Sequence, residues 1–156
     1  PQEEVGDIVH QLRAATAAQN LLFARWVLVV TNFERELYAD PEADLDIIWW
    51  DLVERFQLVP RVPGRSAPDW AAKIHVATAP AYYHNYLLGD LLASQLLHAI
   101  DNECDGLVNN KEAGNFLKER VFRHGSLLRW DVLVEEATGR GLSAGDFVGE
   151  LATVVS

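Results

Sequence analysis

The feature that most constrains this chain is an apolar stripe near its N-terminus. Trp26, Val30, Phe33 and Leu37 recur at i, i+4, i+7 and i+11, while Arg25, Asn32 and Arg35 can line the other side. That spacing is the period of one helix face and predicts a long helix over about Val5–Tyr38. Asp40-Pro41 ends it, because the residue before a proline is pushed out of the helical region. Asp44 can cap a second helix, Leu45 to about Leu58, whose Ile47, Ile48, Trp49, Trp50, Leu52, Val53 and Phe56 make it a buried one. Pro60–Pro68 reads as a connecting loop, too short to separate domains. Asp69–Ala72 reads as a short turn, and Lys73–Ala77 as an extended segment. A third helix opens at Pro80 and runs to about Ile100. After a polar loop, Asp101–Asn110, further helices fit Lys111–Phe122, Trp130–Thr138 and Ala144–Val154. Gly139 and Gly141 mark a stop and Ser143 a cap. The fold class expected is all-α, a single helical unit over 1–156 with one short extended segment near 73–77.

Composition excludes several functions. The formal charge is −10, with the acid spread along the chain. This opposes non-specific binding to nucleic acid, which needs a basic footprint, and to an anionic membrane surface. The apolar run Leu21–Val30 is broken by Arg25 and falls well short of the roughly 20 residues a membrane span needs. Nothing resembles a signal peptide. The single cysteine, Cys104, permits no internal disulfide and no thiolate metal site, and is compatible with a cytoplasmic setting. The chain begins at Pro1 and contains no methionine, which reads as a piece of a longer polypeptide.

One stretch concentrates chemistry. In a strand-like Lys73–Ala77, Lys73 and His75 would point to one side and Ile74 to the other. Tyr83 and Tyr86, at i and i+3, would share a face of the following helix. A cation, an imidazole and two phenols converging there can hold a carboxylate and a peptide carbonyl. The competing reading is a polar segment followed by the aromatic stripe of a core helix.

The order Trp49-Trp50, a proline-bearing loop, Ala71-Ala72-Lys73-Ile74-His75-Val76, the Tyr83/Tyr86 pair and Gln95 resembles the C-terminal part of the angiotensin-converting-enzyme-type peptidyl-dipeptidases. Ala113-Gly114, Trp130 and Val132-Leu133 continue it, so it covers about residues 20–150. The resemblance implies a two-lobed helical zinc metallopeptidase. It implies that Lys73 pairs with the C-terminal carboxylate of a peptide substrate, that Tyr83 donates a second hydrogen bond to it, and that His75 binds a substrate carbonyl. Tyr86 would donate to the oxyanion as the catalytic residue. The match at the tyrosines assumes one extra residue within Val76–Ala81. Where the animal enzymes hold chloride with arginines, this chain has His84 and Asn85 in one interval and Val53 at the other position, so chloride activation at those sites is not expected.

The family's zinc motif, H-E-x-x-H, would lie N-terminal to everything matched. Among His10, His75, His84, His98 and His124 no two are four apart and none is followed by Glu. The expectation is zinc in the full-length parent, none bound to this chain, and a fragment inactive alone. A fragment of this kind should expose apolar surface, above all on the first helix, and should self-associate or retain the missing N-terminal part as partner.

An alternative from another class is a non-enzymatic helical binding module with a single calcium loop at 101–112. Asp101, Glu103 and Asp105 occupy loop positions 1, 3 and 5, Gly106 position 6 and Glu112 position 12. Against it stand a glutamate at position 3 and the lack of a second loop. His10 and His98 read as surface or satisfied core histidines, and Cys104, in an acidic loop, as a poor nucleophile. The five tryptophans read most simply as core.

Overall fold

The computed structural model describes residues 2–155. Among them are seven α-helices, two single 3-10 turns and no strand. The helices are α1 (Gln2–Ala39), α2 (Leu45–Gln57), α3 (Ile74–Thr78), α4 (His84–Cys104), α5 (Lys111–Arg120), α6 (Trp130–Thr138) and α7 (Gly145–Val155). The chain divides into two compact units, Pro1–Leu87 and Leu88–Ser156, with the division falling inside α4.

In the first unit the apolar stripe of α1 does what its period implies. Val29, Val30 and Phe33 are buried against Trp49 and Val53 of α2. The Trp49 ring meets Phe33 edge-on at 5.1 Å and Trp26 at 5.7 Å, the geometry aromatic quadrupoles favour. The two helices run antiparallel, since Phe33 faces Trp49 while Gln57 donates to the Leu22 carbonyl at 3.2 Å and Arg25 to that of Phe56. Asp44 caps α2 by accepting the Ile47 N–H at 3.1 Å, and Trp70 closes the core by donating to Asp46 at 3.1 Å. By length and composition alone Ile8–Ala39 could cross a membrane. Its second half, however, is the core of this unit and carries the buried carboxylate Glu34. The first half is not covered: Ile8, Val9, Leu12, Leu21 and Leu22 are exposed.

Between Lys73 and His84 the structure departs from the sequence expectation twice. The segment 73–77 is not extended beyond Lys73, because residues 74–78 form α3. A lone strand would leave its backbone groups without partners, whereas a helical turn pairs them locally: the Val76 N–H bonds the Lys73 carbonyl and the Ala79 N–H that of His75, both at 3.0 Å. Ile74 consequently faces solvent, 67% exposed, instead of packing inward. The next helix opens at His84, not at Pro80. Ala81, with φ +54°, turns the chain between them, and its N–H is bound at 3.0 Å by Glu34, which is only 3% exposed.

In the second unit Ala99 and Ile100 of α4 pack on Ala113 and Phe116 of α5. Val134 and Ala137 of α6 and Phe147 of α7 are buried as well. Trp130–Thr138 has the expected bounds, and Gly139, at φ 78°, stops it in the left-handed conformation glycine adopts freely. Trp130 departs from the core reading, being 57% exposed, because it stands in the first turn of α6.

Candidate functional site

Lys73, His75, Tyr83 and Tyr86 all lie in the first unit, and the structure brings them together around one residue that the sequence reading treated as core, Trp26. The 3-10 turn Asp69–Ala72 delivers Lys73, whose N–H bonds the Trp70 carbonyl at 3.0 Å. Its ammonium lies 5.3 Å from the centroid of the Trp26 ring, within the range of attraction between a cation and an indole face. The nearby carboxylate Asp69 is already engaged by Arg65, which holds the Asp69 pKa below the ordinary carboxylate value through their hydrogen bond. The Lys73 charge also lowers the Asp69 pKa, but among the described residues no carboxylate lies within ion-pair distance of Lys73, so its ammonium donors are available to a ligand.

The same indole fixes Tyr83. Trp26 Nε1–H donates to the Tyr83 hydroxyl at 2.9 Å. Because the phenol oxygen is the acceptor in that bond, its own proton remains free to donate. One side chain thus carries, on its face and at its edge, the two groups that would clasp a carboxylate.

His75 sits on α3 and reaches the tyrosines through α3's helical rise rather than by strand alternation. Its ring meets Tyr83 edge-on at 4.9 Å and Tyr86 at 5.8 Å. His75 Nε2 and the Tyr86 hydroxyl are 3.2 Å apart and share one hydrogen bond, with the tautomer deciding which donates. With the proton on Nε2, His75 donates to the phenol oxygen and leaves the Tyr86 O–H free. Tyr83 and Tyr86 stay paired, their centroids 5.1 Å apart, although only Tyr86 lies within α4. Phe23 of α1 and Tyr82 flank Tyr86 edge-on. A cavity of about 220 Å³, lined by Trp26, Val30, Lys73, His75 and Tyr83 among others, opens between these groups. It offers a cation, a phenol donor and an imidazole to one polar end group.

Two residues with roles here were not singled out from sequence as more than core or helix. Trp26 belongs to an apolar stripe, and only the rule that a buried indole N–H seeks an acceptor hinted at more. Glu34 anchors the link that sets where Tyr83 stands, and a charged residue on an otherwise apolar face is the signal that could have found it.

Gln95, which the resemblance also aligned, is a structural node of the second unit. It is 1% exposed; its Nε2 donates to Thr138 Oγ1 at 2.7 Å and to the Arg140 carbonyl at 3.1 Å, and its Oε1 accepts the Ser143 N–H at 2.9 Å.

The proposed calcium ligands are not assembled. Asp101 and Glu103 remain on α4, since the helix runs on to Cys104. Glu103 is paired with Arg120, 2.6 Å away. Asn110 fills the turn, donating to the carbonyls of Cys104 and Gly106 and capping α5 through the Glu112 N–H at 2.9 Å. The turn therefore satisfies itself with an amide where a calcium loop needs converging oxygens. No group of three or more His, Cys, Asp or Glu among the described residues could hold a metal ion, so these residues do not fit zinc either.

Residues 75–155 match the family model described as Carboxypeptidase Taq (M32) metallopeptidase. No curated protein and no solved structure matches the chain.

Proposed function

Because the chain belongs to the carboxypeptidase Taq (M32) metallopeptidase family, we propose that it forms the wall of a peptidase cleft that grips the carboxylate end of a peptide and places a bond near that end for cleavage, with release of a C-terminal dipeptide. The observation that carries this reading is the double hold of Trp26 on Lys73 and Tyr83. A carboxylate between an ammonium and a phenol gains charge-assisted hydrogen bonds, and fixing one end of a substrate fixes the distance to the scissile bond. His75 takes a substrate carbonyl. Tyr86 donates to the carbonyl oxygen that gains negative charge, a contact whose loss costs roughly a hundredfold or more in rate.

The resemblance read from sequence therefore stands at the level of a metallopeptidase, and the choice of bond belongs to the proposal. Family membership supports zinc in the parent enzyme. This chain's described residues do not fit that metal, so no step is assigned through it here. Zinc analysis and peptide hydrolysis by the chain alone are expected to give neither metal nor products; stoichiometric zinc or turnover would overturn its reading as a partial cleft. For the whole peptidase, release of dipeptides from an unblocked C-terminus is expected, and release of single residues would replace the dipeptidase reading with a carboxypeptidase one.

The uncovered apolar half of α1 supports a partner: Ile8, Leu12 and Leu22 are more than half exposed and fall on one side of the helix. In this reading it packs on the remainder of the peptidase, or on a second copy when that is missing. Sedimentation that finds only monomer at high concentration would count against it.

A further inference from the structure

Arg65, Asp69 and Lys73 follow one another at four-residue intervals, and all three stand on the wall of one cavity of about 570 Å³ in the first unit. Asp69 has a cation on either side of it in sequence and is gripped by Arg65 alone. Arg65 donates to both of its oxygens, from Nε at 2.7 Å and from Nη2, the forked geometry in which a guanidinium holds a carboxylate best. That hydrogen bond is also the main cause of the lowered Asp69 pKa, to which the Lys73 charge contributes least. Local backbone bonds fix both ends of the arrangement. The Arg65 N–H bonds the Val62 carbonyl at 3.2 Å, and the Lys73 N–H that of Trp70 at 3.0 Å.

A carboxylate four residues from a lysine is a built-in competitor for any anion the lysine could bind. Its tether gives it a local concentration of roughly millimolar or more, against which a free peptide terminus must compete. Here the competitor is withdrawn, and Lys73 lies 5.3 Å from the centroid of the Trp26 ring with its donors free. We propose that Arg65 is a positioning residue for the carboxylate site: it grips Asp69, keeps it off Lys73 and so leaves the ammonium to the peptide. This rests on the carboxylate reading of Lys73 and adds a residue on which that affinity depends without touching the ligand. With Arg65 removed, Asp69 turns to the other cation on its wall, Lys73, whose flexible stem lets the two meet.

Two measurements on the 156-residue chain test it. The first needs no ligand: carboxyl NMR titration of Asp69 in the parent and in Arg65→Gln, each with and without Lys73→Met. Lys73→Met is expected to raise the Asp69 midpoint slightly in the parent and clearly more in Arg65→Gln, where the carboxylate has moved onto the ammonium. Equal shifts in the two backgrounds overturn the proposal. The second is isothermal titration with N-acetyl-Ala-Phe and its amide. The parent is expected to prefer the acid, and Arg65→Gln to bind the acid roughly two- to fivefold more weakly. Adding Asp69→Asn to Arg65→Gln is expected to restore the parent affinity. A loss that Asp69→Asn does not restore, as direct contact or a purely structural role of Arg65 would give, overturns the proposal and leaves the carboxylate reading intact. Unchanged affinity in Arg65→Gln does the same. Acid and amide bound alike by the parent, or neither bound, overturns the carboxylate reading and this proposal with it. The Arg65 side chain is 46% exposed, so its replacement spares the core. Should Arg65→Gln fail to fold, Arg65→Lys, which gives up the fork, serves in both measurements with smaller effects of the same sign.

Discussion

Gln95 in the second unit and the Lys73–His75–Tyr83–Tyr86 cluster in the first are both polar groups set in apolar surroundings, and both were singled out by the same sequence resemblance. They differ in how much hydrogen-bonding capacity is left. Gln95 spends both amide protons and accepts a backbone N–H, tying α4 to the link between α6 and α7. In the other cluster Tyr83 accepts from Trp26 and keeps its proton, Lys73 rests on a ring face and keeps its three donors, and His75 and Tyr86 share a single bond. Saturated groups hold a fold together; groups with spare capacity, held in place from behind, are equipped to meet a ligand. Position in a motif did not separate the two, and geometry does.

The largest effect that could break this comparison is on Gln95. Gln95→Leu leaves the Ser143 N–H without its acceptor and takes the amide donor from Thr138 Oγ1 and the Arg140 carbonyl, so a loss of roughly 2–4 kcal/mol is expected in chemical denaturation. A change below about 0.5 kcal/mol would show that the node is not structural. Lys73→Met should do the opposite: denaturation nearly unchanged, binding of N-acetyl-Ala-Phe weakened by roughly ten- to a hundredfold. Trp26→Phe sharpens the point, because it keeps a ring beneath Lys73 and removes only the donor to Tyr83. A loss of roughly two- to tenfold in that affinity is expected, smaller than for Lys73→Met, and a variant indistinguishable from the parent would remove Trp26 from the site.

The smallest effect concerns an exposed pair. The hydrogen bond from Arg129 lowers the Asp131 pKa to about 2. A carboxylate whose folded pKa is depressed contributes stability above its unfolded pKa and loses it as pH falls through about 2. Both partners are at the surface, where such pairs contribute little. Carboxyl NMR titration should show Asp131 moving back toward the ordinary aspartate value of 3.8 in Arg129→Gln, with little change in stability at neutral pH. An unmoved titration would assign the shift to the backbone instead.

Much of the fold was legible in the sequence where its determinants are close along the chain. Asp44 caps α2 three residues away and Gly139 stops α6, each through a bond a few residues long. The all-α class, the long first helix and the apolar face joining it to α2 follow from periodicity, because a 3.6-residue repeat shows itself without any partner. The tertiary structure alone decided the rest. Whether residues 74–78 form a strand or a helix turned on the absence of a pairing strand, which no local pattern announces. Where α4 begins turned on Glu34 meeting Ala81, and what Trp26 does turned on its meeting Tyr83, pairs separated by 47 and 57 residues. The residue types that could bind a carboxylate were written in the sequence. Which of them retain a free proton or an unpaired charge was decided only when distant side chains packed, because that depends on which partners the rest of the chain supplies.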